Sequence, residues 1–145
     1  MTSLWLHEGI RVDDIDSQYC GFVYIIKNLQ TNKKYIGKKL LKFKKTKIIK
    51  GKKKKYTVDS DWRDYWGSND ELKEDVKVYG ELNFRKEILR FCKTKGELSY
   101  WEAKYQFEFD VLLKPKEFYN GWIFVKVRRV HLGANAMLDK KEFME

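Results

Sequence analysis

Cysteine is scarce in this chain. Cys20 and Cys92 are the only two in 145 residues, and they lack CxxC spacing. That excludes a disulfide scaffold and a zinc ribbon, and it fits a reducing cytoplasm. Proline occurs once, at Pro115, and no Pro- or Gly-rich linker or internal repeat divides the chain. No apolar run approaches the ~20 residues of a membrane span. The first residues, MTSLWLHEGIRVDDID, lack the basic start and apolar core of a secretion signal. Histidine appears only at His7 and His131. There is no HExxH, no GxxxxGK[ST] phosphate loop, no GxGxxG turn after a strand and no Ser-His-Asp order. These absences remove most hydrolase, kinase and dehydrogenase readings. Acid–base groups would have to come from Tyr, Lys, Asp or Glu.

Lysine is abundant and localised. The net charge is +10, from 31 basic and 21 acidic residues. Thirteen lysines and no acid lie between Lys33 and Lys55, so the remaining 18 basic residues face 21 acids, a balance of −3. One segment therefore carries the whole positive excess. A dense block of this kind suits a polyanion, because each lysine at a phosphate releases a condensed counterion. The lysines available for such contacts are Lys42, Lys44, Lys45, Lys47, Lys50, Lys52, Lys53, Lys54 and Lys55. A solvated loop is the plain alternative. Apolar residues are 43% and aromatics 16%, enough for a packed core in one domain.

The pattern along the chain predicts a mixed α/β domain. About three strands form a small central antiparallel sheet flanked by helices. Residues 1–19 form an N-terminal arm, with Leu4, Trp5 and Leu6 free to dock. The main domain spans 20–121, with the lysine-rich insert at 38–56, and 122–145 is a C-terminal extension. Residues Gly21–Lys27 and Lys34–Lys38 read as a hairpin around the polar turn NLQTNK. The lysine stretch after it reads as a loop or loose hairpin. Ser68 and Glu71 form a capping box for a helix bearing Leu72, Val76 and Tyr79, which Gly80 stops. Phe84–Phe91 is a strand. Thr94 and Glu97 open a second helix, which bears Leu98, Trp101, Glu102, Tyr105, Phe109 and Leu112 and ends before Pro115. Trp122–Val130 reads as a strand or extended edge. Its Lys126, Arg128 and Arg129 form either a groove contact or a charged surface strand.

Three features could carry chemistry. Tyr24 and Tyr35 sit on the two hairpin strands, and Gly37 follows two residues later, where a strand glycine marks a bulge or a close approach. Glu102 lies on the apolar stripe of its helix, where a buried carboxylate needs a partner or a metal. Asn120, in FYNGW, is by itself a turn residue. The plain alternatives are cross-strand packing for the tyrosines and an exit to water for Glu102.

The stretch GFVYIIKNLQTNKKYIGKK resembles the signature of the GIY-YIG nuclease superfamily, with Phe22-Val23-Tyr24 for the first half and Tyr35-Ile36-Gly37 for the second. DYWGSNDELKEDVKVYGELNFRKEIL is similar to the helix-then-strand segment of its phage-type homing endonucleases, and LSYWEAKYQFEFD to their metal-binding helix. The likeness runs from about Gly21 to Asn120. It implies a divalent-metal endonuclease acting on double-stranded DNA, with Mg²⁺ or Mn²⁺ at Glu102 and Asn120 as the late asparagine of the pattern. Tyr24 or Tyr35 would help deprotonate water, its pKa depressed by a nearby cation or a second proton acceptor. Phe22 replaces the family's first glycine, and no arginine occurs between Arg11 and Arg63. The working cation is therefore Lys38, Lys39 or Arg63. The resemblance points to a phage or mobile element, and so to the host cytoplasm, with no membrane and no protein partner evident. A catalytically weak or inactive nucleic-acid-binding protein on the same scaffold is the alternative reading. An RNA-binding module comes third.

Overall fold

The structure is a computed structural model and describes residues 3–126. Seven strands and two helices occur among them: β1 (Trp5–His7), β2 (Ile10–Arg11), β3 (Gly21–Asn28), β4 (Lys34–Leu40), β5 (Lys42–Ile49), β6 (Lys52–Asp59), α1 (Asp70–Tyr79), β7 (Phe84–Cys92) and α2 (Lys95–Glu108). The main sheet has the order β2-β1-β7-β3-β4, and β5-β6 form a separate ribbon. The α+β class matches the expectation, but the sheet is larger and mixed rather than three-stranded and antiparallel. The additions come from the N-terminal segment. There β1 pairs in parallel with β7, placing Trp5 beside Lys86, and β2 folds back on β1. A three-residue strand shows no alternation, and its partner lies some eighty residues away, so sequence pattern cannot reveal it.

The hairpin β3–β4 forms because β-branched and aromatic residues flank a turn built on Asn28. Its Oδ1 accepts from the N–H groups of Gln30 (2.9 Å) and Thr31 (3.3 Å), an Asx-type closure. Strand β3 runs between β4 and β7 and is buried on both faces. One face packs Trp5, Phe22, Tyr24, Ile26 and Ile88 against Leu72 and Val76 of α1. The other packs Val23, Ile36 and Cys92 against Leu98 and Trp101 of α2. Two clusters on opposite faces of one sheet leave the edge of β4 as the place where both layers meet.

Helix α1 starts one residue later than expected. The cap is Asn69, whose side chain accepts from the Leu72 N–H at 2.9 Å, not Ser68. Gly80 ends the helix at φ 87°, as its sequence position suggests. Thr94 caps α2 by accepting from the Glu97 N–H at 3.1 Å. Helix α2 stops at Glu108, well short of Pro115, because Asp110 turns to positive φ. Residues 122–126 are not a strand. Arg128 and Arg129 lie outside the described residues.

Strand β7, central in the sheet, carries Lys86 inward. It is 1% exposed, and its Nζ lies 4.2 Å from the Trp5 ring and 4.3 Å from the Trp66 ring, with no hydrogen-bond partner. Burial pushes its pKa down to about 7, against the pull of Asp64 and Glu81. An unfolded lysine titrates near ~10.4. Between those values the unfolded chain binds more protons than the native one, so stability rises with pH through the window. Below it, both states are charged and the cost of burying the ammonium is complete. Lys86→Met keeps the stem's volume and should stabilise the fold by about 1–4 kcal/mol at acidic pH. That gain should fade by about pH 10. Urea titrations at the two pH values check this. A variant less stable than the parent at acidic pH would show the aromatic contacts outweighing desolvation.

Candidate functional site

Register on the hairpin places the two tyrosines. Tyr24 pairs with Gly37 and Ile26 with Tyr35, so both phenol rings leave the same face of the sheet. Their centroids are 6.2 Å apart. A Cβ on Gly37 would lie 2.5 Å from the Tyr24 hydroxyl, 2.7 Å from its Cζ and 2.8 Å from Cε2 of Tyr35. Glycine is therefore required there by contact with both rings. The loop before α1 closes over them. Tyr24 donates to the Tyr65 hydroxyl, and Ser68 supports both Tyr65 and Tyr35, the latter at 3.3 Å. Gly67, at φ 85°, runs beside both rings.

Alternation along β4 sends Lys38 to the opposite face, toward α2. Its Nζ donates to Ser99 Oγ at 2.9 Å and stands 3.8 Å from Glu102 Oε1, and its backbone N–H bonds the same carboxylate. On this free edge, the Ile36 backbone is held by side chains instead of a strand. Asn120 accepts from the Ile36 N–H at 3.0 Å and donates to its carbonyl at 2.8 Å, and Gln106 donates to that carbonyl at 3.0 Å. Asn120 is thus a positioning residue that anchors the stretch between Tyr35 and Gly37. Where the two faces meet at this edge, a cleft of about 500 Å³ is lined by Tyr35, Lys38, Ser68, Glu102, Asn120 and Trp122, among others.

Electrostatics in the cleft differ from expectation. Burial raises the Glu102 pKa, and the charge and backbone N–H of Lys38 only partly offset it. Burial also raises Tyr35, with the Ser68 hydrogen bond acting downward and the Glu102 charge upward. Tyr24 is held well above its ordinary value by burial and by Tyr35 and Tyr65. No cation among the described residues lowers either tyrosine. The rings are desolvated, and the charge they feel is a carboxylate's. Both phenols keep their protons near neutral pH; Tyr24 donates to Tyr65, and Tyr35 accepts from Ser68.

Lys39 and Arg63 are not brought to the cleft. Lys39 lies on the other face, 8% exposed, in a 2.6 Å ion pair with Asp61 and 3.9 Å above the Tyr65 ring. That pair holds the Asp61 carboxyl below its usual range. Arg63, in the short 3₁₀ turn Trp62–Asp64, donates to the Asp13 carbonyl (3.2 Å) and to Asp14 Oδ1 (3.1 Å), and stacks on Trp62. It borders a different hollow of about 480 Å³, together with Lys42 and Lys44. Among the described residues, Lys38 is the cation that lines the Glu102 cleft. The sequence reading did not single out Tyr65, Gly67, Ser68 as a tyrosine partner, Gln106, Trp122 or Phe124. The run Tyr65-Trp66-Gly67-Ser68, with a glycine between aromatic and hydroxyl residues, was the available signal.

A divalent cation needs hard oxygen donors. No group of three or more His, Cys, Asp or Glu able to hold a metal occurs among the described residues. The cleft does offer Glu102, and Asp70 also lines it. Mg²⁺ keeps several waters and takes one or two carboxylates, so this donor set fits it.

Residues 5–123 match the family model described as "Putative endonuclease segE, GIY-YIG domain". The chain is 32% identical over 103 residues to "Putative endonuclease segE" of Enterobacteria phage T4, a match covering 68% of this chain and 39% of that protein. The match therefore spans well under half the length of that relative. No solved structure matches it. The matched region takes in the main sheet, both helices and every residue of the cleft except Phe124. With the tyrosine hairpin, the glutamate helix and the family match in agreement, this chain belongs to the GIY-YIG endonuclease family, in its segE-type branch.

Proposed function

We propose that this protein is a divalent-metal-dependent endonuclease that hydrolyses phosphodiester bonds in double-stranded DNA, with Tyr35, Lys38 and Glu102 acting in the edge cleft. The observation that carries this reading is their convergence. A phenol and an ammonium from β4 and a half-buried carboxylate from α2 line one cleft. Glu102, with Asp70 nearby, would hold Mg²⁺ or Mn²⁺. Such an ion, when bound, neutralises charge on the scissile phosphate and on the leaving oxygen.

The chain's own residues supply the rest. Lys38 offers a point charge to a non-bridging phosphate oxygen as negative charge develops there. Tyr35, kept protonated, donates a hydrogen bond to phosphate or water. Tyr24 is too enclosed to touch substrate and works through Tyr65 and Ser68, which set the ring of Tyr35. Gly37 and Asn120 hold the strand edge in place. The lysine ribbon binds DNA backbone, which fixes position without specifying sequence.

Supercoiled plasmid incubated with Mg²⁺, with Mn²⁺ and with EDTA tests the proposal. Relaxed or linear product only with a metal supports it. A second reading, a DNA-binding protein on the same scaffold with little turnover, is favoured by one observation: among the described residues, no arginine lines the cleft. Intact plasmid in every lane, alongside a gel shift, would select it. Tyr35→Phe separates a working phenol from a packing ring. It removes one exposed hydrogen bond to Ser68, so stability should change by less than about 1.5 kcal/mol. Cleavage should fall by about 10²-fold or more. Proportionate losses of stability and rate would return the ring to the core.

A further inference from the structure

Residues 38–40 of the lysine insert belong to β4, and from residue 42 to 59 it is a regular hairpin that stands off the body. Strands β5 and β6 are eight residues each and pair in full register from Lys42↔Asp59 to Ile49↔Lys52. Lys50 and Gly51 close the ribbon with φ of 51° and 75°, the two left-handed residues of a type I′ turn. At ~3.4 Å per residue the ribbon reaches ~27 Å from the domain. Every residue of β5 and all but one of β6 are exposed, and none belongs to either buried cluster.

Pairing sorts its side chains. Lys45, Lys47, Lys52 and Lys54 share one face with Phe43, Ile49, Tyr56 and Val58. Lys42, Lys44, Lys53 and Lys55 share the other with Thr46, Ile48, Thr57 and Asp59. Each face thus carries four lysines, and no acid occurs from Lys42 to Val58. Lys47 stands directly opposite Lys54, a like-charge pair that costs stability when isolated. A two-stranded hairpin is marginal on its own, so this one is charged for a polyanion. Lying flat on a single phosphate backbone, it would use one face and turn four lysines away.

The geometry points to a different placement: the β5–β6 ribbon enters the major groove of duplex DNA edge-on, one lysine face toward each phosphate wall. This rests on the DNA reading above and adds the groove and the orientation. A sheet with its side chains is ~10 Å thick, and the major groove is ~12 Å wide. The ~6 Å minor groove does not admit it, and the deep, narrow major groove of A-form RNA excludes it as well. The free backbone edge of one strand then meets the base edges.

Salt titrations of binding to a short DNA duplex test this, in a Glu102→Gln background without metal so that cleavage does not intervene. One variant replaces Lys45, Lys47, Lys52 and Lys54 with serine, and the other Lys42, Lys44, Lys53 and Lys55. Each lysine at a phosphate contributes about −0.9 to the slope of log K against log salt. Both variants should flatten that slope by similar amounts, up to about 3.6, and arginine at the same positions should restore it. A major-groove dye should displace the protein, a minor-groove ligand should not, and duplex RNA should compete weakly. Loss confined to one face, displacement by the minor-groove ligand or equal competition by RNA would overturn the placement while leaving the nuclease reading intact. A parent protein without salt-dependent DNA binding would overturn both.

Discussion

Glu102→Gln is expected to abolish metal-dependent cleavage while the protein keeps its fold and its DNA. Glutamine preserves the side chain's size but offers the metal no charged ligand. Metal assistance of this kind supplies several kcal/mol of transition-state stabilisation. At about 1.4 kcal/mol per tenfold, the rate should fall at least about 10³-fold. The fold should be no less stable, because the carboxylate is strained by burial and only partly compensated by Lys38. Thermal denaturation and plasmid cleavage on the same preparation check both halves. Undiminished cleavage would remove Glu102 from the chemistry. A large loss of stability would make its contacts to Lys38 structural.

Gly37→Ala is the second large effect, and it acts without touching a charged group. The added methyl would fall within 2.8 Å of atoms on both Tyr24 and Tyr35. Tyr24 cannot withdraw easily. Tyr24 is 1% exposed and packed against Trp5, Phe22 and Tyr65. Tyr35 is therefore the ring that shifts, away from the cleft and from Ser68. Overpacking of this sort costs about 1–3 kcal/mol, which a domain of this size can survive. Misplacing a reacting group by about 1 Å costs on the order of 10²-fold in rate. The variant should therefore remain folded and bind DNA, with cleavage reduced by at least that factor. Near-normal cleavage would show that the ring position does not matter. Circular dichroism and single-turnover assays separate the outcomes.

The parts of the site that were legible in the sequence are those whose cause is short-range. Tyr24, Tyr35 and Gly37 could be placed because a polar turn joins two runs of β-forming residues and alternation sets the faces. The starts of both helices and the end of α1 could be read from capping residues, to within one position at Ser68 and Asn69. The cation was not legible. Lys38 and Lys39 are chemically identical neighbours, and only the side of β4 that α2 covers decides which one meets Glu102. Arg63 looked equally eligible until Asp13 and Asp14 were seen to hold it elsewhere. Asn120 looked like a turn residue, because the strand edge it holds lies 84 positions away.

By itself, the sequence determined the tyrosine hairpin, the two helices, the lysine block and, through its motif, the family. Those depend on interactions between residues close along the chain, or on residue type alone. The tertiary structure decided the rest: two extra strands from the N-terminus, the choice of Lys38, the anchoring role of Asn120 and the upward shift of both tyrosines. It did so because the cleft is assembled from contacts 33 to 84 residues apart. Burial, which moves the pKa of Tyr24, Tyr35 and Glu102, belongs to no single segment and exists only once the layers on both sides of the sheet have closed.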